Sequence, residues 1–204
     1  MEFLPLELNG SKVYAGFWKR LGAGILDILV FLPFGFIFYK LESFSIPGAV
    51  ISTILASTVF SIYSIYFHYK FGATLGKMAV GIKVTLPNGN SIGLKNSFLR
   101  SSVDLVFSFF MVLAQIIAIN NADPEQYLEL GFFERTQYIL PLLPAWYALV
   151  NTSSQVWVWG EFIVLLTNKR RRAIHDFIAG TVVIQKQFAE QGAQLDAIKA
   201  APVS

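Results

Sequence analysis

Four long apolar stretches dominate this chain and leave few folds open to it. Residues 21–39 form a 19-residue run whose only charge is Asp27, and residues 46–67 form a 22-residue run with none. Residues 101–119 add another 19 carrying only Asp104, and residues 138–167 run for 30 with Glu161 as the single charge. A bilayer core needs about 20 apolar residues as helix. Four transmembrane helices are the plain expectation. The fourth run is too long for one straight span and too short for two. It holds Pro141 and Pro144 and then the polar interruption Asn151–Gln155, so a kinked or broken helix is expected there, with an interfacial piece before it in "DPEQYLELGFFERTQ".

Composition agrees. Only 14% of the 204 residues are charged, against about 25% in soluble domains. Aromatic residues make up 15%, which suits an outer surface meeting lipid and headgroups. The absence of cysteine excludes disulfides and thiolate metal sites. The net charge of +3 gives no argument for nucleic acid. The first ten residues lack a basic start and a long apolar core, so no cleavable signal is expected and the first span stays as an anchor.

The distribution of positive charge sets orientation. Lys12, Lys19 and Arg20 precede the first span, and Lys70, Lys77, Lys83, Lys95 and Arg100 lie between the second and third. Lys169–Arg172 follow the fourth. The other two loops hold Lys40 and Arg135 among five acidic residues. The positive-inside rule then places both termini in the cytoplasm. Between spans two and three, "GIKVTLPNGNSIGL" alternates like a strand and carries Asn88-Gly89, a preferred hairpin turn. With "GTVVI" at 180–184, it predicts a small cytoplasmic sheet of two or three strands. Residues 1–13 read as a cytoplasmic segment and residues 186–204 as a mobile cytoplasmic tail.

Charges inside these stretches are the candidate functional groups. Arg20 and Asp27 stand nearly two helical turns apart on one face. Arg20 either snorkels to headgroups or forks onto a carboxylate or phosphate. A carboxylate at a helix centre costs roughly 2.5–3.5 kcal/mol, so Asp27 should find a donor, stay protonated or bind a cation. Arg100 and Asp104 are spaced for a pair one turn apart, with a polar cluster of Asp104 and Asp27 as the alternative. Asp176 is expected to accept from Arg20 or from backbone N–H groups. His175 beside it offers a proton shuttle, and Glu161 a partner for Lys or Arg. His68 reads as an interfacial residue among aromatics. No nucleotide loop, serine-hydrolase elbow or zinc-protease motif occurs, so neither an enzyme nor a bound metal or cofactor is expected.

Arg20 with Asp27, "GATLGKMAVGIKV" after the second span and "RRRAIHDFIAGTVVI" after the last resemble the RDD membrane proteins over roughly residues 14–185. The family's arginine falls on Arg20 and its two aspartates on Asp27 and Asp176. The chain departs from the family pattern in its longer loop at 120–137 and its extended fourth stretch. The resemblance implies a multi-pass protein of the bacterial inner membrane and a suspected transport role, with an association to sodium–proton exchange. Two readings follow. In one, the protein moves a cation, proton or small solute through the intramembrane carboxylate, and four spans per chain imply a homo-oligomer. In the other, it is a non-transporting accessory or assembly subunit bound to another membrane protein.

Overall fold

The computed structural model describes residues 3–189. Helices carry most of it, in the order the apolar runs dictate. A short hairpin, β1 (Glu7–Leu8) and β2 (Ser11–Lys12), turns on Asn9 and Gly10, both at positive φ. Then come α1 (Phe17–Glu42), α2 (Ile46–Phe71), the five-residue α3 (Leu75–Ala79) and β3 (Ile82–Thr85). Helix α4 (Leu94–Asn120) is followed by the short α5 (Pro124–Glu129) and α6 (Phe132–Ile139). Helix α7 (Trp146–Thr167), the single-turn α8 (Ile174–Ile178) and β4 (Val182–Gln185) follow.

Three helices, α1, α2 and α4, are long and apolar enough to cross a membrane. Their large side chains face outward: Ile28 is 64% exposed, Phe36 62% and Phe109 64%. Such apolar surface in a folded chain belongs against lipid. The fourth expected span is less plain. Helix α7 has 22 residues, but Asn151–Gln155 and Glu161 lie within it and it falls outside that class. Of the two features expected to interrupt this run, the prolines do so and the polar stretch does not. The break falls earlier, where the 3-10 turn Leu140–Leu142 takes Pro141 and the chain reaches α7 after Pro144. The reason is local: proline removes a donor and restricts the residue before it, whereas Asn, Ser and Gln keep the helical ladder intact.

The residues divide into two compact units. The first takes residues up to 30, 63–102 and from 158 on. Its sheet pairs β3 with β4 antiparallel, Val84 opposite Val183. The expected Asn88-Gly89 turn forms, with Gly89 at φ 91°, but the strand's partner lies far along the chain and only a single bridge, Thr85 to Ser91, joins the local arms. Both faces of the sheet are covered, which accounts for its β-branched run. Val182 and Ile184 pack with Val13, Tyr14, Phe188 and Ala189. Ile82, Val84 and Val183 pack with Ala15, Ala23 and Ile92. Tyr14 joins Ile184 through a single isolated bridge, and the sheet itself has two strands. Of the tail expected to be mobile, residues 190–204 lie outside the described residues.

The second unit takes residues 31–62 and 103–157. Ala49, Ile119, Ala122 and the fully buried Tyr127 form its core. Ser57 and Ser108 share a 2.6 Å hydrogen bond from α2 to α4, the kind of hydroxyl contact that joins helices in lipid.

Candidate functional site

Asp27 is held by three donors in the first unit. Its Oδ1 accepts from the Tyr63 hydroxyl at 2.7 Å and from the Gly76 N–H at 2.8 Å. Its Oδ2 accepts from the Thr74 hydroxyl at 2.7 Å. Tyr63 also accepts from the Leu75 N–H at 2.8 Å, and the Thr74 oxygen caps Lys77 N–H. The first-turn N–H groups of α3, orphaned by geometry in any helix, are thereby taken up by Asp27 and its neighbours. A side chain at position 76 would prevent this, because a Cβ there would stand 2.1 Å from the Ala23 carbonyl oxygen. Glycine lets the two backbones touch.

Asp176 is the second hub. It is fully buried, at 0% exposure, and Arg20 Nη1 donates to its Oδ2 at 2.8 Å, as expected. Arg100 Nη1 donates to Oδ1. The Thr181 hydroxyl donates to Oδ1 at 3.2 Å and the Ala173 N–H to Oδ2 at 2.9 Å. Burial alone would raise the pKa of this carboxyl, but Arg100 and Arg20 outweigh it and hold the group well below the usual carboxylate range. The Arg100 fork reaches further, with Nη1 also 2.6 Å from Thr181 Oγ1 and Nη2 2.8 Å from His175 Nε2. His175 in turn places Nδ1 2.6 Å from Glu161 Oε2, and its backbone N–H donates to Glu161 Oε1 at 2.8 Å. The histidine therefore carries its proton on Nδ1 and accepts on Nε2.

Three expectations change here. Arg100 was expected to serve Asp104; its guanidinium instead runs to Asp176, Thr181 and His175. Asp104 belongs to the second unit, where it accepts from Trp157 Nε1 at 3.1 Å. Glu161 finds a histidine rather than Lys or Arg. His175 and Asp176, neighbours in sequence, meet the same guanidinium because α8 is a single turn and Arg100 is wide enough to bridge both.

His68 departs most from its expected place. It is only 4% exposed, and Nδ1 sits 2.7 Å from the Ser64 carbonyl oxygen. A carbonyl accepts, so Nδ1 carries the proton and Nε2 offers a lone pair. Lys77 Nζ lies 2.7 Å from that Nε2. Burial lowers the Lys77 pKa to about 7, with the Arg100 charge adding to the shift and Asp27 opposing it. The amine thus holds or releases a proton near neutrality while facing the imidazole lone pair. Sequence reasoning overlooked Tyr63, Thr74 and Gly76 as partners of Asp27, and Lys77 as the partner of His68. The readable signal was Thr74, a helix-capping residue opening "TLGKMA".

The RDD family profile matches residues 14–180. The chain belongs to the RDD family. The match spans Arg20, Asp27 and Asp176, and covers both carboxylate hubs and the α3 turn between them. No curated protein and no solved structure gives a significant match. The chemistry of this RDD protein is therefore argued from its own geometry. Asp27 accepts from three donors and Asp176 from four, which fills the acceptor capacity of Asp176. Among the described residues, no group of three His, Cys, Asp or Glu is placed to hold a metal ion.

Proposed function

We propose that the protein is a proton-linked transporter of the bacterial inner membrane, moving a cation or small solute, and that it acts without enzymatic chemistry. The observation that carries this reading is the His68–Lys77 contact: a buried imidazole lone pair facing an amine whose proton is released near pH 7. Groups that exchange protons need a pKa near the working pH. Asp27 is then the residue that positions α3, and so Lys77, rather than the site that binds the transported ion. Helix α7 spans the bilayer in this reading. Its 22 residues reach about 33 Å against a core of about 30 Å. Both termini face the cytoplasm, and two or more copies build the path.

The test is sodium-dependent dissipation of a pH gradient in inverted vesicles at matched protein levels. Wild type should show it, and Lys77→Met should lose it. No signal in wild type, or an equal signal in Lys77→Met, overturns the reading. A second reading, an accessory subunit docked on another membrane protein, draws support from the three donors on Asp27 and the four on Asp176, which make both structural clamps. It predicts a co-purifying membrane protein and vesicles without flux.

A further inference from the structure

The second unit contains a cavity of about 280 Å³ that the transport reading does not use. Helix α6 supplies one wall, from the loop at 120–137 where this chain departs from the family pattern. The cavity places a carboxylate and a guanidinium side by side: Glu42, at the end of α1, and Arg135, in α6.

These two charges form a loose ion pair with no hydrogen bond between them. Arg135 is 2% exposed, and each guanidinium nitrogen is fixed by an uncharged acceptor. Nε donates to Tyr127 O at 3.1 Å, Nη1 to Ser43 Oγ at 3.1 Å and Nη2 to Leu130 O at 2.9 Å. The guanidinium also lies over the Tyr127 ring, 4.8 Å from its centroid. Glu42 Oε1 accepts from the Tyr127 hydroxyl at 2.6 Å. Burial and this hydrogen bond raise the Tyr127 pKa, so the phenol remains a donor. The result is an Arg135–Glu42 distance of 3.8 Å, outside hydrogen-bond range. Oε2 of Glu42 makes no hydrogen bond to another described residue, and the side chain is 25% exposed. Gln115, Thr136 and Tyr147 add polar groups to the wall, and Ile139 and Leu143 add apolar ones.

A lone cation entering here meets Arg135, and a lone anion meets Glu42. A molecule carrying both charges on neighbouring atoms meets each with its opposite. The volume lies just below the range of drug-sized ligand sites, which starts near 300 Å³, and so suits only a small molecule. The geometry points to a binding site for a small zwitterion of the α-amino-acid type, its ammonium on Glu42, its carboxylate toward Arg135, and a short aliphatic side chain against Ile139 and Leu143.

The full chain, purified in detergent, should be titrated with alanine and leucine. Propylamine and propionate, each with one of the two charges, are the comparison. The amino acids should bind saturably and the single-charge analogues at least about tenfold more weakly, the scale of one hydrogen bond to a charged group. Glu42→Gln, which keeps an acceptor for Tyr127, should weaken amino-acid binding by a similar factor. Thr136→Leu should also weaken it by narrowing the cavity. This position is exposed, its hydroxyl bonds only back to Phe132 O, and the change alters neither charge, so it tests the site even if Glu42→Gln fails to fold. Absence of saturable binding by wild type up to about 10 mM overturns the proposal, as that is weaker than any useful site. Equal binding of the single-charge analogues, or undiminished binding in a folded variant, also overturns it. None of these outcomes depends on proton flux.

Discussion

Gly76→Ala tests whether Asp27 is a clamp. The new Cβ would lie 2.1 Å from Ala23 O, 2.9 Å from Asp27 Cγ and 2.9 Å from Asp27 N. Two of these atoms are backbone of α1 and cannot rotate away. Helix α3 must retreat by about 1 Å or more to reach ordinary contact. That movement stretches the 2.8 Å Gly76 N–H bond to Asp27 beyond usefulness. Overpacking costs about 1–3 kcal/mol, and a hydrogen bond to a charged group about 1.5–3, so the change should destabilise by roughly 3–6 kcal/mol. For a chain of this length that is a fall in melting temperature of roughly 6 °C or more. Thermal unfolding in detergent measures it, and hydrogen exchange at residues 75–80 localises it. Gly24→Ala in α1 is the matched control, because a Cβ there meets nothing within 4 Å and should cause no loss. If Gly76→Ala melts within about 2 °C of wild type with α3 still protected, the close approach of the two backbones is not what fixes the turn.

Asp176→Asn leaves Arg20 and Arg100 facing an uncharged side chain in a fully buried site. It should destabilise by about 3–5 kcal/mol, read as a lower melting temperature and yield. Asp176 has a folded pKa below its unfolded value. Its contribution is therefore complete above the unfolded carboxylate range near 3.8 and is lost as pH falls below it toward the folded value, which unfolding scans from about pH 6 to 2 would show. Lys77, whose folded pKa is also lowered, has a consequence of the same sign at higher pH. Between about pH 7 and 10.5 the unfolded chain binds the extra proton, so stability should rise with pH there, and the rise should vanish in Lys77→Met. Arg135→Lys keeps the charge but loses the fork that reaches Tyr127 O, Ser43 Oγ and Leu130 O, and should lower stability by about 2 kcal/mol. With no native cysteine, single cysteines at Lys83 and Phe133 should label from opposite sides of the membrane; labelling from one side would refute the topology.

The sequence by itself determined the membrane class, the positions of α1, α2 and α4, and the bend at Pro141 and Pro144. These are local properties: a run of apolar residues long enough for a bilayer, or a proline that cannot continue a helix, is written in consecutive letters. It also pointed to the Arg20–Asp176 bond, through the chemistry of a buried fork and a carboxylate. Tertiary structure decided the rest. Arg20 and Asp176 are 156 positions apart and Arg100 and Asp176 are 76 apart, and nothing in local pattern ranks Asp176 above Asp104 as the partner of Arg100. His68 reads like any residue in an aromatic helix end until α3 folds back and sets Lys77 against it. In the sequence Asp27 should find a donor, stay protonated or bind a cation. It became a helix cap because Gly76 allows α3 close enough to donate to it. Burial and hydrogen-bond partners for an ionisable group depend on which distant segments surround it, and only the packed chain specifies them.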